Sequence, residues 1–260
     1  MNPTPANSFV KQIPNLVTLS NLACGLIGIT MVMQGHLVDG FFMMVLGAIM
    51  DFFDGAVARL LKANSPLGLQ LDSLADVVTF GVLPGLIWRE EMQMQGYCST
   101  GFCINNFVWL LIPLAAAYRL AKFNVDTRQT TGFIGVPTPI TGIALGSWAL
   151  ISASFTEAGM EGYPMLQWIA NPIIDIRWVL DTFWAWLYMP LIAAYLMTSE
   201  LPLLAMKFKA NDPLNNWKKA LFLLALPCLL FGAAMVAVFY FMYVIISVVG
   251  NNRVHRQEKE

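Results

Sequence analysis

Apolar stretches of nearly uniform length recur along this chain, at residues 14–35, 38–62, 69–93, 106–124, 138–156 and 177–199. Each is close to the ~20 residues that a helix needs to cross a bilayer. In hydrocarbon every backbone N–H and C=O must be satisfied within the protein, and a helix does so inside one segment. The chain is therefore expected to be an all-α integral membrane protein. Composition agrees: 57% of the 260 residues are hydrophobic, 12% are charged, and the mean hydropathy is +0.62, whereas soluble domains carry roughly 25% charged residues. A net charge of −1 offers no basic excess, so no nucleic-acid partner is expected.

A last apolar block runs from Lys219 to Val249. It is too long for one untilted crossing and short for two. Pro227 and Gly232-Ala233-Ala234 near its middle mark either a kink or a tight hairpin, giving seven or eight spans, with eight favoured. Residues Met1 to Gln12 are short and polar and lack a basic start and a small-residue cleavage site, so the first span is read as a retained helix. Lys11, Arg59 and Lys62, then Arg119, Lys122 and Arg128, then Lys207, Lys209, Lys218 and Lys219 fall at alternate ends of the spans. The intervening loops, with Asp39, Glu90, Glu91, Glu157, Glu161 and Asp175, are acidic. The positive-inside rule places the N-terminus and the basic loops in the cytoplasm, and a hairpin keeps the tail 251–260 there too.

Four aspartates interrupt this apolar pattern. Asp51 and Asp54 are three residues apart, Asp72 and Asp76 four apart, so each pair shares a helix face. The pairs belong to successive spans joined by a turn containing Ser65-Pro66. They are expected to face each other about two helical turns below the cytoplasmic surface. Carboxylates in hydrocarbon cost several kcal/mol each unless compensated, and divalent cations are the simplest compensation. Such ions can neutralise a pyrophosphate and polarise its phosphorus. Gly55 directly follows Asp54 in a helix, where glycine costs roughly 1 kcal/mol against alanine; a ligand lying on the backbone would explain it. Ala58 is one turn on and also small, Arg59 sits at the interface, and Gly68 lets the ends of spans two and three approach. Together they suggest a nucleotide-diphosphate pocket opening to the cytoplasm. Asn15, Thr18 and Asn21 recur at three-residue steps and either line that pocket or bond to neighbouring helices. On the residues alone, two other readings stay open: close helix packing for Gly55 and Ala58, and the cation path of an ion-coupled transporter for the aspartates.

The pattern D-x2-D-G-x2-A-R-x8-G-x3-D-x3-D is complete here in Asp51, Asp54, Gly55, Ala58, Arg59, Gly68, Asp72 and Asp76. It resembles the signature of the CDP-alcohol phosphatidyltransferases, and eight fixed positions over 26 residues make it highly specific. The resemblance implies a six-helix membrane core, here followed by a C-terminal helical hairpin, and two metal ions, Mg2+ or Mn2+, held by Asp51, Asp54, Asp72 and Asp76. It implies that Gly55, Ala58, Arg59 and Gly68, with Asn15 and Thr18, border the cytidine and diphosphate. Asp76 and Asp72 become the expected catalytic residues, Asp76 as base for the attacking hydroxyl. The chain is then one membrane domain, 1–260: a catalytic core at 13–200, a transmembrane hairpin at 215–250 and a cytoplasmic tail.

Further segments are similar to the serine-accepting, membrane-embedded bacterial branch of that family: Ile13 to Asn21, Asp72 to Pro84, Tyr118 to Asn124 and Phe133 to Pro139. This likeness implies an inner-membrane enzyme whose site faces the cytoplasm and whose partners are CDP-diacylglycerol, L-serine and membrane lipid. It also leaves a homodimer open, since such proteins often pair. Serine carries a carboxylate, so basic groups are expected near the metals. Arg119 foremost, then Lys122 and Arg128, with Asn124, are the acceptor-binding candidates; ordinary interfacial anchoring is the alternative for Lys122 and Arg128. A sister transferase acting on glycerol 3-phosphate or an inositol phosphate is the nearest rival, and would want a denser basic cluster. The stretch from Thr131 to Pro139, with two prolines and two glycines, reads as a rigid non-helical turn that either closes over the acceptor or merely connects. Glu200 at the inner end of span six either contacts substrate or marks the interface. Cys24 and Cys228 read as packing residues, and Cys98 and Cys103 as either a bridge or two free thiols. His36 and His255 lack ligand spacing.

Overall fold

The computed structural model describes residues 12–63, 65–97, 105–126, 133–153, 183–204, 214–221 and 233–257. Helix α1 spans Ile13–Met33 and α2 Leu37–Leu60. A third span runs from Pro66 to Met94 in three parts: α3 at Pro66–Val77, a π-helical turn at Val78–Val82 and α4 at Leu83–Met94. The short α5, Asn105–Val108, leads into α6, Leu111–Val125. After strand β1, Phe133–Ile134, come α7, Thr138–Ala153, and α8, Phe183–Thr198. Strand β2, Pro202–Leu203, precedes α9, Ala233–Gln257. Among the described residues, four spans are long and apolar enough to cross a membrane, Ile13–Met33, Leu37–Leu60, Pro66–Met94 and Asn106–Val125, with shorter apolar helices at Trp184–Thr198 and Phe239–Asn251. The protein is a multi-pass, essentially all-α membrane protein. Pro227 and Gly232 of the expected hairpin, with Cys98, Cys103, Cys228, Arg128 and His255, fall outside the described residues or side chains.

The turns between helices have a shared local cause. After α1, His36 N–H donates to Met31 O and Gly35 N–H to Val32 O, with Gly35 at φ +86°. After α2, Ala63 N–H donates to Ala58 O and Lys62 N–H to Arg59 O. Both are Schellman closures, which satisfy the last carbonyls through one left-handed residue. In the second that residue is Lys62, at φ +50°, so lysine stands where glycine is usual. Ser65 caps α3, its Oγ accepting from Gly68 N–H at 3.0 Å, and Pro66 supplies the fixed φ of the first turn. The third span thus starts at Pro66, a few residues before its apolar run.

The π turn has an identifiable origin. Pro84 has no N–H, so Phe80 O loses its helical donor. Helix α7 approaches this carbonyl: a Cβ on Gly142 would lie 2.7 Å from Phe80 O. On the opposite side Thr79 Oγ1 donates to Asn21 O at 3.1 Å, and a Cβ on Gly25 would lie 2.5 Å from that hydroxyl. Small residues here let three helices meet at backbone distance.

Among the described residues, two apolar cores result. The larger gathers Phe41 and Met44 of α2, Phe80, Leu83 and Trp88 of the third span, and Trp186 of α8. The Trp88 indole donates to Trp186 O at 3.1 Å. The smaller joins Val136, Ala144, Leu203, Leu204, Tyr240 and Tyr243, between α7, the β1–β2 pair and α9.

Candidate active site

Helices α2 and α3 present the four aspartates from successive antiparallel segments. Asp51, Asp72 and Asp76 each offer a carboxylate oxygen, and these oxygens all lie within 4.8 Å of one another. Asp54 stands outside this trio. It is buried, and its Oδ2 has no hydrogen-bond partner. Among the described residues, no basic side chain forms an ion pair with any of the four. Carboxylates this close with no cation between them repel each other, and a buried carboxylate oxygen without a donor is costly. Hard carboxylate oxygens, converging and unpaired, are a donor set suited to a divalent cation. The residues therefore fit the metal that the sequence led us to expect.

A cleft of about 720 Å³ opens beside them, at the end of the bundle where α1 begins, α2 ends and α3 begins. Asn15, Thr18, Gly55, Ala58, Arg59 and Gly68, expected at a nucleotide pocket, all border it, as do Asp54 and Asp72. Asp72 thus belongs to both the carboxylate trio and the cleft wall. At Gly55 a Cβ would meet Arg59 Nη1 at 3.3 Å, so the missing side chain leaves room for the guanidinium over this surface. The neighbours of Gly68 differ from expectation. A Cβ there would meet Asn15 Oδ1 and Ser65 Oγ at 3.1 Å, so its smallness serves α1 and its own cap rather than α2. Pro14, Ala63, Ser65, Pro66 and Leu69 complete the wall. Sequence reasoning gave them no role, because each looks like an ordinary cap or interface residue.

Asn21 is fully buried, and its Nδ2 donates to Asp76 Oδ1 at 3.2 Å. Of the polar stripe on α1, Asn15 and Thr18 turn to the cleft and Asn21 to the carboxylates. The stripe thus divides: two of its residues border the cleft and the third bonds to a neighbouring helix.

The acceptor candidates are placed unevenly. Arg119 is buried on α6, with Nη1 donating to Thr138 Oγ1 at 3.1 Å. Its Nε has no hydrogen-bond partner, and its charge lies within electrostatic range of Asp76. Asn124 Nδ2 donates to Ser73 Oγ at 2.9 Å, tying α6 to α3 next to Asp72. Lys122 Nζ sits 3.0 Å from Glu200 Oε1, a partly exposed pair of small energetic weight. None of these three borders the 720 Å³ cleft. Thr138 was not foreseen: nothing in a helix-start threonine marks it as the partner of an arginine 19 residues earlier.

A sequence profile of the CDP-alcohol phosphatidyltransferases matches residues 11–173. The CDP-diacylglycerol–serine O-phosphatidyltransferase of Bacillus subtilis (strain 168) is 35% identical over 140 residues, 52% of this chain and 74% of that protein. The protein of the same name from Helicobacter pylori (strain 26695) is 35% identical over 135 residues, 50% of this chain and 54% of its own length. An archaetidylserine synthase of Methanothermobacter thermautotrophicus is 32% identical over 183 residues, 67% of this chain and 75% of that protein.

Proposed function

The chain belongs to the CDP-alcohol phosphatidyltransferase family, and from that premise we propose that it transfers the phosphatidyl group of CDP-diacylglycerol to L-serine, yielding phosphatidylserine and CMP. The observation that carries this reading is the convergence of Asp51, Asp72 and Asp76 beside a cleft bordered by Gly55, Ala58 and Arg59. The serine acceptor is supported by the relatives, whose names specify CDP-diacylglycerol–serine transfer or archaetidylserine synthesis.

Asp51, Asp54, Asp72 and Asp76 would hold two divalent ions, Mg2+ or Mn2+, and carboxylate ligands suit both. Bound there, such ions supply Lewis-acid polarisation of the pyrophosphate and offset the charge of the departing CMP. The cleft takes the cytidine diphosphate. Gly55 and Ala58 leave the wall flat, and Arg59 reaches over it to pair with phosphate. Arg119 orients the serine carboxylate, and the unpartnered Nε on a buried guanidinium supports an anion as its missing partner. Asp76 accepts the serine hydroxyl proton as the oxygen attacks the phosphorus bearing diacylglycerol. The new P–O bond replaces the pyrophosphate P–O bond, and CMP leaves. Asn21 holds Asp76 Oδ1, which leaves Oδ2 for this exchange. The basic loops support a site at the cytoplasmic face of the inner membrane.

The direct test is an acceptor screen. Purified protein receives CDP-diacylglycerol with serine, glycerol 3-phosphate or an inositol phosphate in turn, and CMP is measured. CMP release with serine alone is expected; release with a phosphorylated alcohol instead would reassign the acceptor.

A further inference from the structure

The family profile ends at residue 173, yet the segment beyond it reaches the acceptor side of the site. Tyr243 of α9 is buried, and its hydroxyl donates to Leu204 O at 3.1 Å. Leu204 follows β2, which pairs antiparallel with β1, Phe133 opposite Leu203 and Ile134 opposite Pro202. The connection from β1 to α7 is then fixed at two backbone points. Gly135 N–H donates to Leu201 O at 3.0 Å and Val136 N–H to Leu196 O at 3.1 Å. Gly135 is at φ +73°, and a Cβ there would lie 2.5 Å from Met197 O, so the loop lies flat on the end of α8. Two residues after Val136 comes Thr138, fully buried, whose Oγ1 receives Arg119 Nη1. Tyr243 is itself within electrostatic range of Arg119. An unbroken series of short contacts therefore runs from the last helix to the buried guanidinium. Val136, Leu203, Leu204 and Tyr243 all belong to the smaller apolar core, so the series is packed as one unit.

We propose that Thr138 and Tyr243 are positioning residues for the acceptor: Tyr243 anchors the β1–β2 clamp on the C-terminal helix, and the clamp holds Thr138 so that Arg119 is aimed at the acceptor carboxylate. A guanidinium holds a carboxylate well only in the orientation of its planar fork. Fixing one Nη through Thr138 selects that orientation and leaves the other donors for the ligand. The C-terminal segment thereby tunes acceptor affinity without touching the acceptor.

This rests on the reading of Arg119 as the acceptor-carboxylate group, and one set of variants separates the two. Arg119→Ala, Thr138→Val, Thr138→Ser and Tyr243→Phe are assayed for the KM of serine and the KM of CDP-diacylglycerol, with thermal midpoints in detergent. Arg119→Ala tests the underlying reading; if it fails to raise the serine KM selectively, that reading falls. Given a selective effect there, Thr138→Val and Tyr243→Phe are each expected to raise the serine KM about threefold to tenfold, the scale of one lost hydrogen bond, with the lipid KM unchanged. Thr138→Ser, which keeps the hydroxyl, restores the wild-type value. Unchanged serine KM in both variants, or equal rises for both substrates, would overturn the proposal while leaving Arg119 in place. If Tyr243→Phe lowers the thermal midpoint, the Thr138 pair still decides, because serine and valine differ there in the hydroxyl that Arg119 uses.

Discussion

Asp76 is the residue on which the proposed chemistry converges. It lies in the carboxylate trio, accepts from Asn21 and is within electrostatic range of Arg119. Asp76→Asn is isosteric and can still accept from Asn21, so the fold should persist. Loss of the base and of a ligand charge should cut CMP release by about 10²–10⁴-fold or more. Near-normal turnover in a variant of unchanged thermal midpoint would remove Asp76 from the mechanism. The spacing of the four aspartates was legible in the sequence because three- and four-residue steps put each pair on one helix face. The division among them was not. Asp54 lies one helical turn from Asp51 yet borders the cleft outside the trio, a difference set by how α2 is rotated against α3 and α1. Arg119 was legible as the deepest basic residue of its span. Thr138 was not, since the contact joins two helices through a loop whose path no local pattern reveals.

At the scale of elements, the first four spans followed from hydropathy to within three residues, because length and apolarity are strong constraints in a bilayer. The turns split by chemistry. Gly35 announces its left-handed closure, whereas Lys62 adopts the same geometry with a side chain that gives no sign of it. The π turn at Val78–Val82 was also hidden. Pro84 shows that one helical bond is missing, but the outcome depends on Asn21 of α1 and Gly142 of α7 meeting the turn from two other helices. That account makes a prediction. Gly142→Ala forces a methyl toward Phe80 O, at 2.7 Å before any relaxation, and should destabilise by ~1–3 kcal/mol, the usual scale of overpacking. A lower thermal midpoint in detergent is expected. An unchanged midpoint would mean that α7 moves away freely and that the close approach carries no structural weight.

For the whole molecule, the carboxylates and cleft sit at the end of the bundle where α1 starts and α2 ends, and the proposal from loop charge that this end faces the cytoplasm can be tested. In a background with Cys98 and Cys103 replaced by serine, a membrane-impermeant maleimide applied to intact spheroplasts should label Gln34→Cys and spare Lys62→Cys until the membrane is opened. The reverse pattern would place the site on the outer face. The larger core packs α2, the third span and α8 together, and the smaller one joins α7, the β1–β2 pair and α9. The claim beneath all of this is that aspartates from two neighbouring spans cage divalent cations beside the cleft. Titration of the purified protein with Mn2+, following bound ion by electron paramagnetic resonance, tests it most directly. The account predicts tight Mn2+ binding by the native protein and its loss in Asp51→Asn/Asp72→Asn; equal binding by that folded double variant would contradict it.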